Sequence, residues 1–141
     1  MKYFVVFLVA CTLATSYAQN EMLDKAKAIA ETCKTETGAS DEDVVAMFKH
    51  EPAGNDKAKC LHACALKKFG LYDDSNNINN EAAMGIVKTV AAGDANLEKQ
   101  GLEALDACKD TPTSGNNCEV AEAYRACFIA KSKENGFKLP F

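Results

Sequence analysis

The sequence predicts an all-α fold in which six helices form a single domain. Apolar residues recur every three or four positions in six separate segments, which is the spacing of one helix face. Glycine, proline or runs of turn-forming residues separate these segments, and no segment alternates apolar and polar residues as a half-buried strand would. A chain of 141 residues is long enough for one such domain.

The first two helices have clear ends in the sequence. Glu21–Thr37 carries a helical apolar stripe and is followed by Gly38, a residue type that commonly terminates helices. Ser40 and Asp43 have the spacing of a capping box, in which each side chain satisfies a backbone N–H of the other residue. The second helix therefore starts at this pair, and it should end before Pro52, because the residue before a proline disfavours helical geometry.

The third and fourth helices are separated by a polar loop. Asn55–Phe69 has helical periodicity and ends at Gly70. Leu71–Asn80 is rich in aspartate, asparagine and serine, which favour turns. The fourth helix is expected over Glu81–Ala92, with Gly93 closing it.

The ends of the last two helices are also marked by capping and turn-forming residues. Asp94 can cap a fifth helix whose apolar stripe runs over Leu97–Cys108. Thr111–Asn117 contains a proline and a glycine and is therefore a loop. The sixth helix is expected from about Cys118 to Gly136.

The N-terminus has the pattern of a secretory signal peptide. Lys2 precedes an apolar run of eleven residues, Tyr3–Leu13, and Ser16 and Ala18 supply small residues at the −3 and −1 positions. The run is too short for a membrane anchor, which needs about 20 apolar residues. We therefore expect residues 1–18 to be removed and residues 19–141 to form one secreted, extracellular helical domain.

Charge and motifs exclude several classes of function. Loss of Lys2 with the signal changes the formal net charge from −4 to −5. Such an acidic chain has no electrostatic surface for nucleic acid, and no second apolar run is long enough for stable membrane insertion. The sequence lacks a phosphate-binding loop, a nucleophile elbow and a zinc-protease motif, so we predict that it is not an enzyme and needs no cofactor.

Removal of the signal also leaves an even number of cysteines. Seven cysteines become six because Cys11 lies in the apolar run, and six can pair completely in 15 ways. Cys60 and Cys64 lie one turn apart on the same helix face, so their thiols point the same way and are poorly placed to bridge each other. Cys118 and Cys127 are too far apart if they share a helix. The residues themselves leave the other pairings open.

Histidines are few, and we expect both to lie at the surface. His62 sits between Cys60 and Cys64, which raises the alternative of a metal site. A residue two positions from each cysteine faces away from both on a helix, and secreted cysteines are usually oxidised, so we predict no metal. Because histidine titrates near physiological pH, His50 and His62 are the candidates for a response to acidification.

The cysteine spacing resembles that of a known family. The six cysteines are separated by 26, 3, 43, 9 and 8 residues. This pattern, with its gaps of three and eight, resembles the six-cysteine insect odorant-binding proteins, the pheromone-binding and general odorant-binding family. The resemblance covers the whole chain after the signal. It implies a six-helix, three-disulfide odorant-binding-protein fold that encloses an apolar cavity, with bridges Cys33–Cys64, Cys60–Cys118 and Cys108–Cys127.

The same resemblance implies a carrier of small hydrophobic molecules such as odorants, pheromones or fatty-acid-like ligands. A membrane receptor is a second candidate partner. The terminal segment of several family members folds over the cavity, which makes the apolar Phe137, Leu139 and Phe141 candidates for a lid. Tyr72 and Tyr124 are candidates for donating a hydrogen bond to the ligand. The candidate wall residues are Val45, Phe48, Leu66, Phe69, Met84, Val87, Leu105, Tyr124 and Phe128.

The function and the two helical glycines each have alternative interpretations. A saposin-like, membrane-active lipid-interacting protein is also helical and has six cysteines, but its cysteines cluster near both ends of the chain. A secreted interaction protein could share the fold without binding a small molecule.

Gly85 and Gly101 lie inside predicted helices, where glycine costs about 1 kcal/mol relative to alanine. They favour close helix packing, with space for a bound molecule as the alternative.

Overall fold

The computed structural model describes residues 2–112 and 114–139, with side chains at Tyr17 and from residue 19 onward. Apart from one isolated antiparallel bridge between Tyr72 and Ile78, the regular structure in these ranges is helical. The prediction of an all-α fold is therefore confirmed. The six helices are α1 (Lys2–Thr37), α2 (Asp41–Phe48), α3 (Asp56–Lys68), α4 (Asn80–Ala91), α5 (Ala95–Ala107) and α6 (Asn117–Asn135).

The first helix is longer than the sequence analysis predicts. It begins at Lys2 instead of Glu21 and continues through the predicted cleavage point after Ala18. No glycine or proline precedes Gly38, so nothing in the sequence terminates the helix between these points. The prediction of a separate signal peptide concerns processing and is independent of this local conformation.

Side-chain caps fix the helix ends that position the rest of the domain. The Ser40 N–H donates to Asp43 Oδ2 at 2.9 Å and the Asp43 N–H donates to Ser40 Oγ at 3.2 Å, which completes the predicted capping box of α2. Asp94 accepts from two backbone N–H groups at the start of α5, as predicted. Gly136 ends α6 with φ +84°, a left-handed conformation that glycine adopts without strain.

Helix α3 lies at the centre of the packing. It contacts α1, α2 and α6, while α5 contacts α4 and α6. Two disulfides start from the same face of α3 and reach different helices: Cys33–Cys64 joins it to α1 and Cys60–Cys118 joins it to α6. The third bridge, Cys108–Cys127, joins the end of α5 to α6. These are the pairs that the family resemblance implies, and each such bridge typically stabilises a domain by about 2–4 kcal/mol.

The buried side chains form three clusters instead of one continuous core. The first lies between α1, α2 and α3 and includes Leu61, which is fully buried. The second lies between α3, α6 and the loop that carries Tyr72. The third brings Val87 and Val90 of α4 against Phe137, which follows α6. Packing is therefore divided among separate groups of helices.

Gly101 of α5 is packed closely against side chains of the third cluster. A Cβ atom at this position would lie 2.5 Å from Val87 Cγ1 and 2.7 Å from Phe137 Cε2. Gly85 of α4 is the opposite case, since a Cβ there would meet nothing within 4 Å. The space beside Gly101 is thus filled by Val87 and Phe137 of the same chain, which supports the packing explanation for this glycine.

We predict that Gly101→Ala and Gly85→Ala change stability in opposite directions. Gly101→Ala should lower the free energy of unfolding by about 1–3 kcal/mol, because the new methyl group displaces two buried side chains. Gly85→Ala should raise it by up to about 1 kcal/mol through helix propensity alone. Guanidinium chloride unfolding of the oxidised protein, followed by far-UV circular dichroism, measures both. An unchanged or higher stability for Gly101→Ala would contradict the packing described here.

Candidate functional site

A largely apolar cavity of about 520 Å³ lies beside α3. Its wall comes from α1, α2, α3, α4 and α6, the segments that follow α2 and α3, and the chain after α6. The apolar lining consists of Met22, Ala26, Met47, Phe48, Ala65, Leu66, Phe69, Leu71, Ile86, Phe128, Ile129 and Leu139. The polar lining consists of Glu21, Lys25, His50, His62, Thr89 and Arg125.

Helical spacing explains how these residues reach one space. On α3, the residues at positions 62, 65, 66 and 69 lie on one face, and on α6 the residues at 125, 128 and 129 do the same. The two disulfides of α3 keep these faces in register with their neighbours. Lys25 of α1 sits over the ring of Phe69 with its Nζ 5.8 Å from the ring centre, so a cation covers one aromatic side chain of the wall.

A second depression is a poor candidate for a site. It has a volume of about 600 Å³, but its lining belongs to α5 alone. Glu98, Lys99, Glu103 and Asp106 make most of that lining charged. A groove along one helix does not enclose a ligand, and charged walls do not favour an apolar one.

Five of the residues predicted for the wall or the lid line the cavity: Phe48, Leu66, Phe69, Phe128 and Leu139. Val87 and Phe137 are instead buried in the third packing cluster, with Leu105 against them. Phe137 packs edge-on against Phe128, with ring centres 6.1 Å apart. Phe141 lies outside the residues that the structure describes.

Two predicted wall residues lie in solvent. Val45 is 51% exposed and Met84 is 42% exposed. Each is next in sequence to a buried residue, Val44 on α2 and Ala83 on α4, and is therefore turned by about 100° away from the buried face. The apolar stripe on each helix is wider than the face that packs, which is why these two positions were included.

The predicted tyrosine donors do not line the cavity. Tyr72 is buried and its hydroxyl donates to Asn76 Oδ1 at 2.7 Å, an interaction that fixes the loop after α3. Tyr124 is buried on α6, and burial raises its pKa above the usual value. Neither is among the residues around the cavity.

The sequence analysis missed a buried polar cluster at the cavity. His62, expected at the surface, is only 2% exposed. Its Nδ1 is hydrogen-bonded to Glu122 Oε2 of α6. Glu122 Oε1 accepts from the Ala53 N–H at 3.0 Å and lies 3.5 Å from Arg125 Nη1. Arg125 in turn donates to the backbone oxygen of Met47 at 3.3 Å.

The periodicity of the helices contained a signal for this cluster. On α3, His62 belongs to the series 58, 61, 62, 65, which is the spacing of a buried face. On α6, Arg125 belongs to the series 121, 124, 125, 128. A polar residue at such a position has to be paired when it is buried, so its partners should be sought across the interface.

The cluster keeps Glu122 ionised. Burial by itself would raise the pKa of Glu122, but the hydrogen bonds from His62 and the Ala53 N–H, together with the charge of Arg125, outweigh burial and lower the pKa. Burial lowers the pKa of Arg125 against the opposing effect of Glu122. The carboxylate is therefore the anion that balances the guanidinium beside the cavity.

Other sites find little support. One group of potential metal ligands, Cys33, Glu36 and Cys64, includes two sulfurs that are joined in a disulfide and offer no thiolate. Within the described part of the chain, no helix has both the length and the apolar character to cross a membrane.

The lowered pKa of Glu122 predicts a pH-dependent contribution to stability. A carboxyl whose pKa is lower in the folded state stabilises the fold fully above its unfolded pKa, near 4.5, and loses this effect as pH falls through the folded value. Glu122→Gln should therefore cost about 1–3 kcal/mol at pH 7, and this difference from the wild type should shrink below about pH 4.5.

Chemical unfolding at a series of pH values measures this difference. Glu134→Gln is the matched control, because Glu134 lies on the same helix but is exposed. A constant gap between wild type and Glu122→Gln from pH 7 to 3 would contradict the role assigned to the carboxylate.

Comparisons with known proteins agree with this architecture. Residues 15–131 match the family model of the PBP/GOBP family. General odorant-binding protein 19d of Drosophila melanogaster is 37% identical over 133 residues, covering 93% of this chain and 89% of the relative. General odorant-binding protein 28a of the same organism is 34% identical over 131 residues, covering 93% and 92%.

Solved structures have the same fold. The structure of odorant-binding protein dmelOBP28a from Drosophila melanogaster superposes with a TM-score of 0.74 at 35% identity and covers 85% of this chain and 99% of that one. The fatty acid binding protein OBP56a from the blowfly Phormia regina shares the fold with a TM-score of 0.65 at 20% identity, over 81% and 94% of the two chains. The chain therefore belongs to the PBP/GOBP family, whose members are odorant- and pheromone-binding carriers and not enzymes.

Proposed function

We propose that this protein is a secreted carrier that binds a small hydrophobic molecule in the cavity beside α3. The observation that carries this proposal is a cavity of about 520 Å³ whose wall is mostly aliphatic and aromatic. Ligand sites in proteins typically measure about 300–1,000 Å³ and combine an apolar wall with a few polar groups. Two relatives named general odorant-binding proteins, 34% and 37% identical to this chain, support the same role.

Transfer from water supplies the binding energy. Burial of apolar ligand surface is worth about 0.8 kcal/mol per CH₂ group, so a twelve-carbon chain gains roughly 10 kcal/mol before costs. Lost freedom of motion and the ordering of side chains consume part of this gain. Micromolar affinity is the expected balance. Met22 and Met47 in the wall can adjust their shape, which suits a site that accepts several ligands.

Secretion is part of the proposal. The signal-peptide pattern predicts cleavage after Ala18, which would leave a first helix of residues 19–37. Three disulfides among six cysteines are typical of proteins that fold in an oxidising compartment. A carrier that moves apolar molecules through an aqueous secretion needs both export and a stable oxidised fold.

Paired substitutions on α2 test the cavity as the binding site. Phe48→Ala should weaken binding of the apolar fluorophore N-phenyl-1-naphthylamine about tenfold, because Phe48 lines the cavity and its ring supplies apolar contact. Val45→Ala should leave binding unchanged, because Val45 is exposed on the same helix. Fluorescence titration measures both. The site is misassigned if Val45→Ala has the larger effect.

The same preparation separates a carrier from its alternatives. A saposin-like protein would release dye from anionic liposomes at low protein concentration, whereas a carrier leaves the vesicles intact. A secreted interaction protein would bind neither the fluorophore nor any apolar competitor. Probe binding without leakage is the result that we expect.

The segment after α6 should retard ligand release. Leu139 lines the cavity and is partly exposed, so Leu139→Ala should increase the dissociation rate of the fluorophore about fivefold through loss of half-buried contact. Lys138→Ala is the control, because Lys138 is exposed in the same segment. Stopped-flow displacement measures the rates, and equal rates for the two variants would contradict a lid at Leu139.

A further inference from the structure

His62 is the polar side chain on the face of α3 that lines the cavity, and it is buried. Its neighbours on the lining face of α3 are Ala65, Leu66 and Phe69. The side chain is almost completely buried, and within the described residues its Nε2 has no hydrogen-bond partner. A buried imidazole nitrogen without a partner is costly, so the position calls for a hydrogen-bonding group from outside the chain.

The bond to Glu122 fixes which ring nitrogen carries the proton. An ionised carboxylate can only accept hydrogen bonds, so Nδ1 of His62 is the protonated nitrogen that donates to it. In the neutral imidazole, Nε2 is then a hydrogen-bond acceptor. The two ring nitrogens point in diverging directions, so Nε2 is turned away from Glu122.

We propose, as an extension of the carrier function proposed above, that Nε2 of His62 accepts a hydrogen bond from a hydroxyl group at one end of the ligand. The cavity then prefers an aliphatic alcohol to a chain of equal length without a donor. Glu122 is a positioning residue in this scheme, since it holds the imidazole in the tautomer that presents an acceptor.

The charges of the cluster favour an alcohol over a carboxylate. Arg125 is paired with Glu122 at 3.5 Å, and its two terminal nitrogens donate to the backbone oxygens of Glu51 and Met47. The positive charge of Arg125 is balanced by the carboxylate of Glu122. A carboxylate ligand at this end would bring an uncompensated negative charge close to Glu122, whereas a hydroxyl group brings none. The other charged residues of the lining, Glu21 and Lys25, lie on α1.

Three ligands of matched chain length test the proposal: 1-decanol, decyl methyl ether and decanoate. Each displaces N-phenyl-1-naphthylamine from the oxidised wild-type protein and from His62→Leu. We expect the wild type to bind decanol more tightly than the ether, and His62→Leu to weaken decanol about three- to tenfold, the effect of one net hydrogen bond. Binding of the ether should change less than twofold.

Leu66→Ala is the matched control on the same face of α3. It removes apolar contact at the cavity and should weaken decanol and the ether by the same factor. Equal losses for both ligands in His62→Leu would show that His62 is structural only and would overturn the proposal. Tighter binding of decanoate than of decanol, lost in His62→Leu, would also overturn it, because Nε2 would then be a donor.

An NMR measurement on the wild-type protein tests the same contact and does not depend on whether a variant folds. Protein labelled with ¹⁵N-histidine gives signals from only two histidines, His50 and His62. Addition of decanol should shift the ¹⁵N resonance of His62 Nε2, whereas addition of decyl methyl ether should leave this resonance unchanged. No shift at saturating decanol would reject the hydroxyl contact. If neither decanol nor the ether displaces the fluorophore, the proposed carrier function is wrong. If both displace it equally well, only the proposed preference for a hydroxyl group is wrong.

Discussion

The attachment of α3 to two different helices is the constraint on which the structure depends. Cys60 and Cys64 stand one turn apart, and their bridges reach α6 and α1. The two bridges hold α3 against α6 and α1 and restrict its rotation about its own axis, which fixes the direction of the face opposite the two cysteines. That face carries His62, Leu66 and Phe69 and forms the wall of the cavity. The two disulfides thus stabilise the arrangement of α1, α3 and α6 around the cavity.

Most of the fold could be predicted because its determinants are local. The capping box at Ser40, the cap at Asp94 and the glycine at position 136 each fix a helix end through a neighbouring backbone group. The start of α1 was missed because signal segments and helices share the same apolar residues. The cysteine geometry excluded two pairings, and the remaining choice required the resemblance to a family, since spacing alone leaves several arrangements open.

The site was less predictable because it depends on which side of an apolar stripe faces the cavity. Phe48 and Val45 belong to the same stripe of α2, yet only Phe48 lines the wall. The third packing cluster contains Val87, Leu105 and Phe137. Val87 and Phe137 pack closely there because Gly101 has no side chain, and these three positions are far apart in sequence. A periodicity identifies a buried helix face, but it contains no information on whether a neighbour or a ligand covers that face.

The polar cluster shows how the constraint on α3 reaches the chemistry of the cavity. Glu122 accepts from the loop before α3 and from His62 on α3, and it pairs with Arg125, which binds the end of α2. Well-packed apolar side chains of similar volume can stabilise a fold as much as a buried ion pair does. Stability alone therefore does not explain why this part of the wall is polar. The arrangement does explain the orientation of His62. The loop before α3, α3 and α6 hold the carboxylate of Glu122 in place, and this carboxylate fixes the tautomer and the direction of the His62 imidazole beside the apolar cavity.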